Sequence, residues 1–235
     1  MIVGFDIAAT SLRFGKRFIH NAHDMPESKK IEAIHTDFPP NQHTVPEVFI
    51  IESLDAKDEK AKRYEGRLLS EMLILAGKSP KYYYFQSKSE LPHLIALFRL
   101  SQYRYLHFSA HANNDTIGTT NDSMTYDEFA DFFKSSLRLR RLFMSACEVG
   151  NEDFVKAVSS KNKGMHSIVA PKDTIRFDHA AAIWSAFYVS MFTENQNAMK
   201  SREIAKRIDA LNALFPVDFY QAFYNSKQDI WEFKD

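Results

Sequence analysis

Two residues in this sequence are well placed to do covalent chemistry together, Cys147 and His111. A thiolate is a strong nucleophile once its proton has been removed or its pKa lowered near neutral pH. Cys147 is the only cysteine among 235 residues, and His111 stands 36 positions before it. Imidazole can take that proton and later return it to an amine leaving from a cleaved amide. A developing oxyanion needs fixed donors, and the backbone N–H groups of Cys147 and of Ala112, directly after the histidine, are the natural pair. Ser109, Ala110 and Ala112 surround the histidine, and Ser145 and Ala146 precede the cysteine. Such small side chains let a peptide backbone approach closely. The chemistry these residues point to is amide hydrolysis.

Plainer readings stand beside it. A lone cysteine after an apolar strand also serves as a small buried hydrophobe, and a histidine after a strand also serves as a loop residue. His107 lies four positions before His111 and shares its face on a strand, but no glutamate or cysteine completes a metal-ligand spacing. No metal and no cofactor are therefore expected, and His107 reads as a core or loop residue. His20 and His23 read as solvated loop residues. No Gly-x-Ser-x-Gly elbow is present, and seven glycines without a glycine-rich turn do not make a phosphate cradle. Asp127, Glu128 and Asp131 read as charges on a helix face, suited to its N-terminal dipole.

The elements that must position His111 and Cys147 can be read from periodicity. Val48–Ile51, Tyr82–Phe85, Tyr105–Phe108, Leu142–Met144 and Ser167–Ala170 are short apolar runs of the kind buried on both faces of a sheet. Between them lie helical patterns. The first carries a stripe of Tyr64, Leu68, Met72, Leu75 and Ala76, stopped by Gly77. Ser87 with Glu90, and Thr125 with Glu128, have capping-box spacing. A short helix is predicted over Asp153 to Val158, a long apolar one capped by Asp178, and an amphipathic one from Ala198 to Leu211. Strands alternating with helices predict an α/β fold, a three-layer α/β/α sandwich with a mostly parallel central sheet. In such sheets ligands bind beyond the carboxyl ends of the strands. His111 and Cys147 each follow a predicted strand end, and those strands are consecutive, so adjacency in the sheet is expected.

Composition narrows the classes further. Lys plus Arg and Asp plus Glu balance at 30 each, so no global charge draws the chain to nucleic acid or to acidic membrane. No stretch approaches 18 apolar residues, and the N-terminus lacks the features of a signal peptide. One cysteine excludes an internal disulfide framework and suits a reducing, cytoplasmic compartment. Residues 1–45 read as a segment of uncertain structure, with edge strands near its start and a breaker run at Phe38-Pro39-Pro40. Residues 46–215 read as the main domain, and 216–235 as an aromatic tail packed on it.

The stretch His107-Phe108-Ser109-Ala110-His111-Ala112 resembles the histidine motif of CHAT and caspase-like peptidases. Leu142 to Gly150, with Ser145-Ala146-Cys147-Glu148, resembles their cysteine motif. Order, spacing and the downstream helices resemble the family over roughly residues 46–215. The resemblance implies a caspase-haemoglobinase-like fold and a cysteine endopeptidase with no cofactor. His111 would be general acid and base, Cys147 nucleophile, and Ala112 with Cys147 the oxyanion donors. It implies a protein or peptide substrate, a regulatory protein partner, and by analogy a role in prokaryotic defence or cell death. Two departures stand out. Ala112 replaces the usual glycine, which would cost about 1 kcal/mol if a positive φ were required. Pro171-Lys172-Asp173 replaces a common Trp-Pro. For the specificity pocket, Asp173 and Asp178 would select a basic residue before the scissile bond, whereas Arg176 would select an acidic one; Asp178 also reads as a helix cap. The alternatives are a catalytically weak or inactive interaction module of the same fold, and a hydrolase of small amides.

Overall fold

The computed structural model describes residues 43–234. The readings of residues 1–42, including His20 and His23, lie outside them. Each predicted apolar run forms a strand: β1 (Val45–Glu52), β2 (Lys81–Tyr84), β3 (Tyr103–Ser109), β6 (Arg141–Ser145) and β7 (Ser167–Pro171). Between β3 and β6 the chain adds a small hairpin, β4 (Thr116–Gly118) and β5 (Ser123–Thr125), which periodicity did not signal because each strand has three residues. The aromatic stretch 216–235 holds two further strands, β8 (Phe219–Asn225) and β9 (Ile230–Lys234), which extend the main sheet.

The strand order is β2-β1-β3-β6-β7-β8-β9, parallel from β2 to β7 and antiparallel for β8 and β9. Val48 to Ile51 and Leu142 to Met144 are fully buried, as two-sided cover demands. One face packs under α3 (Leu91–Ser101), α4 (Tyr126–Phe132) and α5 (Glu152–Lys161), around Phe98, Phe108, Phe129 and Phe154. The other packs under α2 (Glu65–Leu75), α6 (Phe177–Glu194) and α7 (Ser201–Asn212), around Phe143, Trp184, Phe187 and Tyr188. A short helix, α1 (Ala56–Lys60), lies in the connection from β1 to α2. The expected three-layer α/β/α sandwich is thus observed.

Both capping boxes form, Ser87 with Glu90 and Thr125 with Glu128. Two helix readings need correction. Helix α6 is capped at Arg176, so Asp178 lies in its first turn and is not the N-cap. In α2 the stripe expected to be buried is turned outward: Leu68 is 50% and Leu75 82% exposed, while Glu65, Gly66, Leu69 and Leu73 face the sheet. The reason is an anchor. Glu52, at the end of β1, accepts the Gly66 N–H at 2.7 Å and the Arg67 N–H at 3.3 Å. Gly66 also has the Ile50 side chain 3.0 Å from where a Cβ would stand. Rotating α2 to bury Leu68 and Leu75, worth about 2 kcal/mol each, would expose Leu69 and Leu73 in exchange. It would also strand the fully buried Glu52 carboxylate, which costs more.

Candidate active site

β1 leads sideways to β2, whereas β3 starts the run in the other direction, so the sheet's topological switch lies between β1 and β3. The crevice beyond the carboxyl ends there is where open parallel sheets bind ligands. Three strand ends meet at this edge. Ser109 of β3 pairs with Glu52 of β1 on one side and Ser145 of β6 on the other. Pairing continues one step further, with Ser53 N–H on Ser109 O at 2.9 Å and Ala110 N–H on Ser145 O at 3.1 Å. The expected adjacency of the two strands is therefore present, and His111 and Cys147 each stand two residues beyond a paired serine.

The cysteine turn is fixed from below. The Gly150 N–H donates to Pro171 O at 2.7 Å, and a Cβ on Gly150 would lie 2.5 Å from Ala170 O. Only glycine allows β6's exit to lie this close to the end of β7. Asn151 caps α5 by accepting the Phe154 N–H at 2.9 Å, and its amide donates to Glu148 O at 3.0 Å. Glu148, directly after the cysteine, is held at φ 62°, a left-handed conformation that is strained for a side-chain-bearing residue. Cys147 itself is half-buried. Its sulfur meets both backbone groups of Ile175, accepting the N–H at 3.4 Å and facing the carbonyl at 3.7 Å.

The histidine turn folds back on itself. His111 O accepts the Gly118 N–H at 2.8 Å, and the Asn113 N–H donates to Thr116 O at 3.0 Å. Ala112 thus faces Ile117 of β4 in a bridge whose own N–H and C=O groups point away from the partner. Neither the Ala112 N–H nor the Cys147 N–H meets an acceptor among the described residues. Ala112 is not among the residues with positive φ, and its methyl packs against the core. Alanine in place of the glycine usual in the motif that this stretch resembles therefore carries no left-handed strain here.

The structure adds two residues that sequence reasoning missed. His111 Nε2 lies 2.8 Å from Asp58 Oδ2 and 3.7 Å from Asp55 Oδ2. Asp58, nearly buried, binds Arg63 Nη1 at 2.9 Å with its other oxygen, while Asp55 caps α1 through the Asp58 N–H at 2.7 Å. Backbone bonding at this cap, ahead of the attraction of His111, holds the Asp55 carboxyl below its usual range. Asp55, Asp58 and His111 each offer a donor atom within 4.8 Å of the others, a set a divalent metal could engage, although Arg63 already gives Asp58 a cationic partner. The signal available beforehand was only the aspartates after a strand end. Nothing local ties them to a histidine 53 positions away.

His111 and Cys147 are spanned by one segment, with Ile175 on the sulfur and the Phe177 ring edge-on to the imidazole, centroids 5.5 Å apart. His107, by contrast, is fully buried between Trp184 and Tyr188. It is core, not a ligand beside His111. Asp173 is exposed, and its backbone carbonyl accepts the Glu148 N–H at 3.3 Å. Asp178 is clasped by Arg176 at 2.8 and 3.0 Å, and that guanidinium holds its carboxyl far below the usual range.

No protein-family model matches the sequence, and no curated protein does. Among solved structures, one similar chain comes from the complex of Porphyromonas gingivalis RgpB pro- and mature domains, at 13% identity and a TM-score of 0.48. The match covers 72% of this chain but only 43% of that one. Caspase-1 from Spodoptera frugiperda is similar at 12% identity and a TM-score of 0.45, over 71% of this chain and 77% of that one. At such scores the likeness assigns neither a family nor an activity. No helix among the described residues is long and apolar enough to cross a membrane.

Proposed function

We propose that this protein is a cysteine endopeptidase of the CHAT and caspase-like type, acting through Cys147 and His111. The observation that carries the reading is the alignment of three strand ends at the switch point. They offer, in order across the sheet, a carboxylate, an imidazole and a thiol. A carboxylate only accepts hydrogen bonds, so the bond to Asp58 assigns the proton to His111 Nε2 and leaves Nδ1 as the base.

In the proposed cycle, His111 Nδ1 takes the Cys147 proton and the thiolate attacks the substrate carbonyl carbon. The oxyanion is received by the Ala112 and Cys147 N–H groups. His111 then protonates the amine as the C–N bond breaks, leaving a thioester on Cys147. Water, losing its proton to His111, attacks the thioester, and the acid and the thiol are released. The Ile175 N–H supports the negative sulfur while it waits.

For the residue before the scissile bond, a basic side chain is favoured, through Asp173 rather than Asp178. The first is exposed without a cation on its carboxylate among the described residues; the second is already neutralised by Arg176. A defence or cell-death role would be carried by the identity of the protein cut, in a cytoplasmic setting.

The test is incubation with candidate proteins and with peptides bearing Arg or Lys before the cleaved bond, beside Cys147→Ala and His111→Ala. Cleavage by the wild type alone is expected. Equal cleavage by all three would remove the assignment. One observation favours a second reading: the Cys147 sulfur is engaged by Ile175 at both backbone atoms, as in a module that binds without cutting. That reading expects stable partner binding and no labelling of Cys147 by electrophilic peptides.

A further inference from the structure

The connection from β1 to α2, residues 53–64, carries both aspartates that face His111. Its two ends are joined by one side chain. Glu52, the last residue of β1, reaches across to the Gly66 N–H at 2.7 Å and the Arg67 N–H at 3.3 Å, the second and third residues of α2. The Tyr82 hydroxyl, from β2, donates to the same carboxylate at 2.7 Å. Glu52 is completely buried, so its carboxylate depends on these three bonds. Elsewhere the connection is held by further hydrogen bonds. Thr120 bonds Ser53 Oγ and Leu54 O, and Gln86 bonds Glu59.

We propose that Glu52 is a positioning residue for His111: by closing the base of the 53–64 connection it sets where Asp58, and through Asp58 the His111 imidazole, must stand. The inference rests on the peptidase reading above, since it assigns Glu52 a task only if His111 has one. The geometry gives a reason for the burial. A carboxylate on a helix N-terminus is favourable, but a surface residue could serve as a cap without the desolvation that Glu52 bears. Placed at the floor of the crevice, it registers α2 against β1 at the point where the connection leaves and returns. Gly66 supports the same registration, since a Cβ there would meet Ile50 and Glu52 at 3.0 and 3.3 Å.

The charged and titratable groups around Glu52 are Glu65 and Arg67 on α2, Tyr64 before α2, Tyr82 on β2, and His107 on β3 facing Glu65 at 3.6 Å. Burial, with the Glu65 charge second, pushes the Glu52 carboxyl up to about 7. The clasp thus changes its hydrogen-bonding character near neutral pH, because a protonated carboxyl offers one acceptor oxygen fewer to Tyr82 or the helix.

The experiment follows alkylation of Cys147 by iodoacetamide at pH 7.5 in the full chain, for wild type, Glu52→Gln, Tyr82→Phe, Asp58→Asn, His111→Ala and the double variant Glu52→Gln/Asp58→Asn. Thermal melting accompanies each. Glu52→Gln is expected to slow alkylation about tenfold, and the double variant to match Asp58→Asn within about twofold, because residues acting through one another are not additive. A wild-type rate in Glu52→Gln, or effects that multiply in the double variant, would overturn the inference. Should Glu52→Gln fail to melt cooperatively, Tyr82→Phe decides. It removes one bond of the clasp, and a rate about threefold below wild type supports the positioning role, whereas an unchanged rate overturns it. If His111→Ala leaves alkylation unchanged, the peptidase reading falls and this inference with it. If His111→Ala and Asp58→Asn slow the reaction but Glu52→Gln does not, only this inference falls.

Discussion

His111 Nε2 and Asp58 Oδ2 lie 2.8 Å apart, reaching each other from the segments that follow the two strands flanking the topological switch of the sheet. The bond assigns the proton to Nε2, which leaves the other ring nitrogen as the base of the proposed cycle. Asp58 is itself held, by Arg63 at 2.9 Å, so its orientation does not depend on the histidine alone. Asp58→Asn replaces an obligate acceptor with a group that can also donate, and so permits the wrong tautomer. Peptide cleavage is expected to fall by about 10² or more in kcat, the scale of general acid–base catalysis, with KM little changed. Steady-state kinetics check this. A fall confined to KM would assign Asp58 to substrate binding instead.

Much of this arrangement was legible in the sequence, and the reasons are specific. Val48–Ile51 and Leu142–Met144 are apolar runs because the strands are covered on both sides, so their existence and their ends could be read. With the ends came His111 and Cys147. The face of α2 could not be read, because its rotation is set by a polar bond from Glu52 to Gly66 that outweighs the exposed leucines. Asp58 could not be read either. It joins the site through a connection whose path depends on that same anchor, and no local spacing announces a contact 53 residues long.

Ala112 tests whether the proposed oxyanion donor needs a glycine. Its φ is not in the left-handed region, and its methyl packs against the core. Ala112→Gly therefore relieves nothing at the backbone and adds freedom to the unfolded chain. Stability is expected to fall by about 0.5–1 kcal/mol, with no gain in turnover. Chemical denaturation and peptide cleavage measure the two. A tenfold faster variant, on the order of 1.4 kcal/mol in the barrier, would mean that the alanine distorts the donor.

Gly150 is the opposite case, a glycine demanded by space rather than by φ. A Cβ there would stand 2.5 Å from Ala170 O and 2.6 Å from Pro171 O, both backbone atoms at the end of β7. Gly150→Ala must break the Gly150 N–H bond to Pro171 O and push the cysteine turn away from the sheet. A loss of about 1–3 kcal/mol in stability is expected, typical of overpacking. Alkylation of Cys147 should slow as well when corrected for the folded fraction, because Glu148 and Cys147 ride on the same turn. A denaturant midpoint equal to wild type would show that the turn has another way to accommodate a methyl.

Two groups, one buried and one half-buried, give the pH dependence of stability opposite signs. Glu52 has its carboxyl raised from the ordinary 4.5 to about 7, by burial first and by Glu65 second. Between those values the unfolded chain has released a proton that the folded chain keeps, so stability falls as pH rises through the window. The full displacement corresponds to about 3 kcal/mol. His166 is lowered from 6.5 to about 4, by burial first and then by Arg141 and Arg104. There the unfolded chain takes up the proton first, so stability is lost as pH falls from 6.5 toward 4. The ring is only partly buried, which makes its share the smaller. Wild type is expected to lose stability as pH rises from about 4.5 to 7, with the His166 slope offsetting part of the loss up to about pH 6.5. In Glu52→Gln the falling slope disappears and the His166 slope is exposed, so the denaturant midpoint should rise from about pH 4.5 to 6.5 and then level. His166→Phe should do the reverse and steepen the decline. Midpoints measured across this range for the three proteins decide the matter: a Glu52→Gln profile parallel to wild type would mean that another group carries the proton.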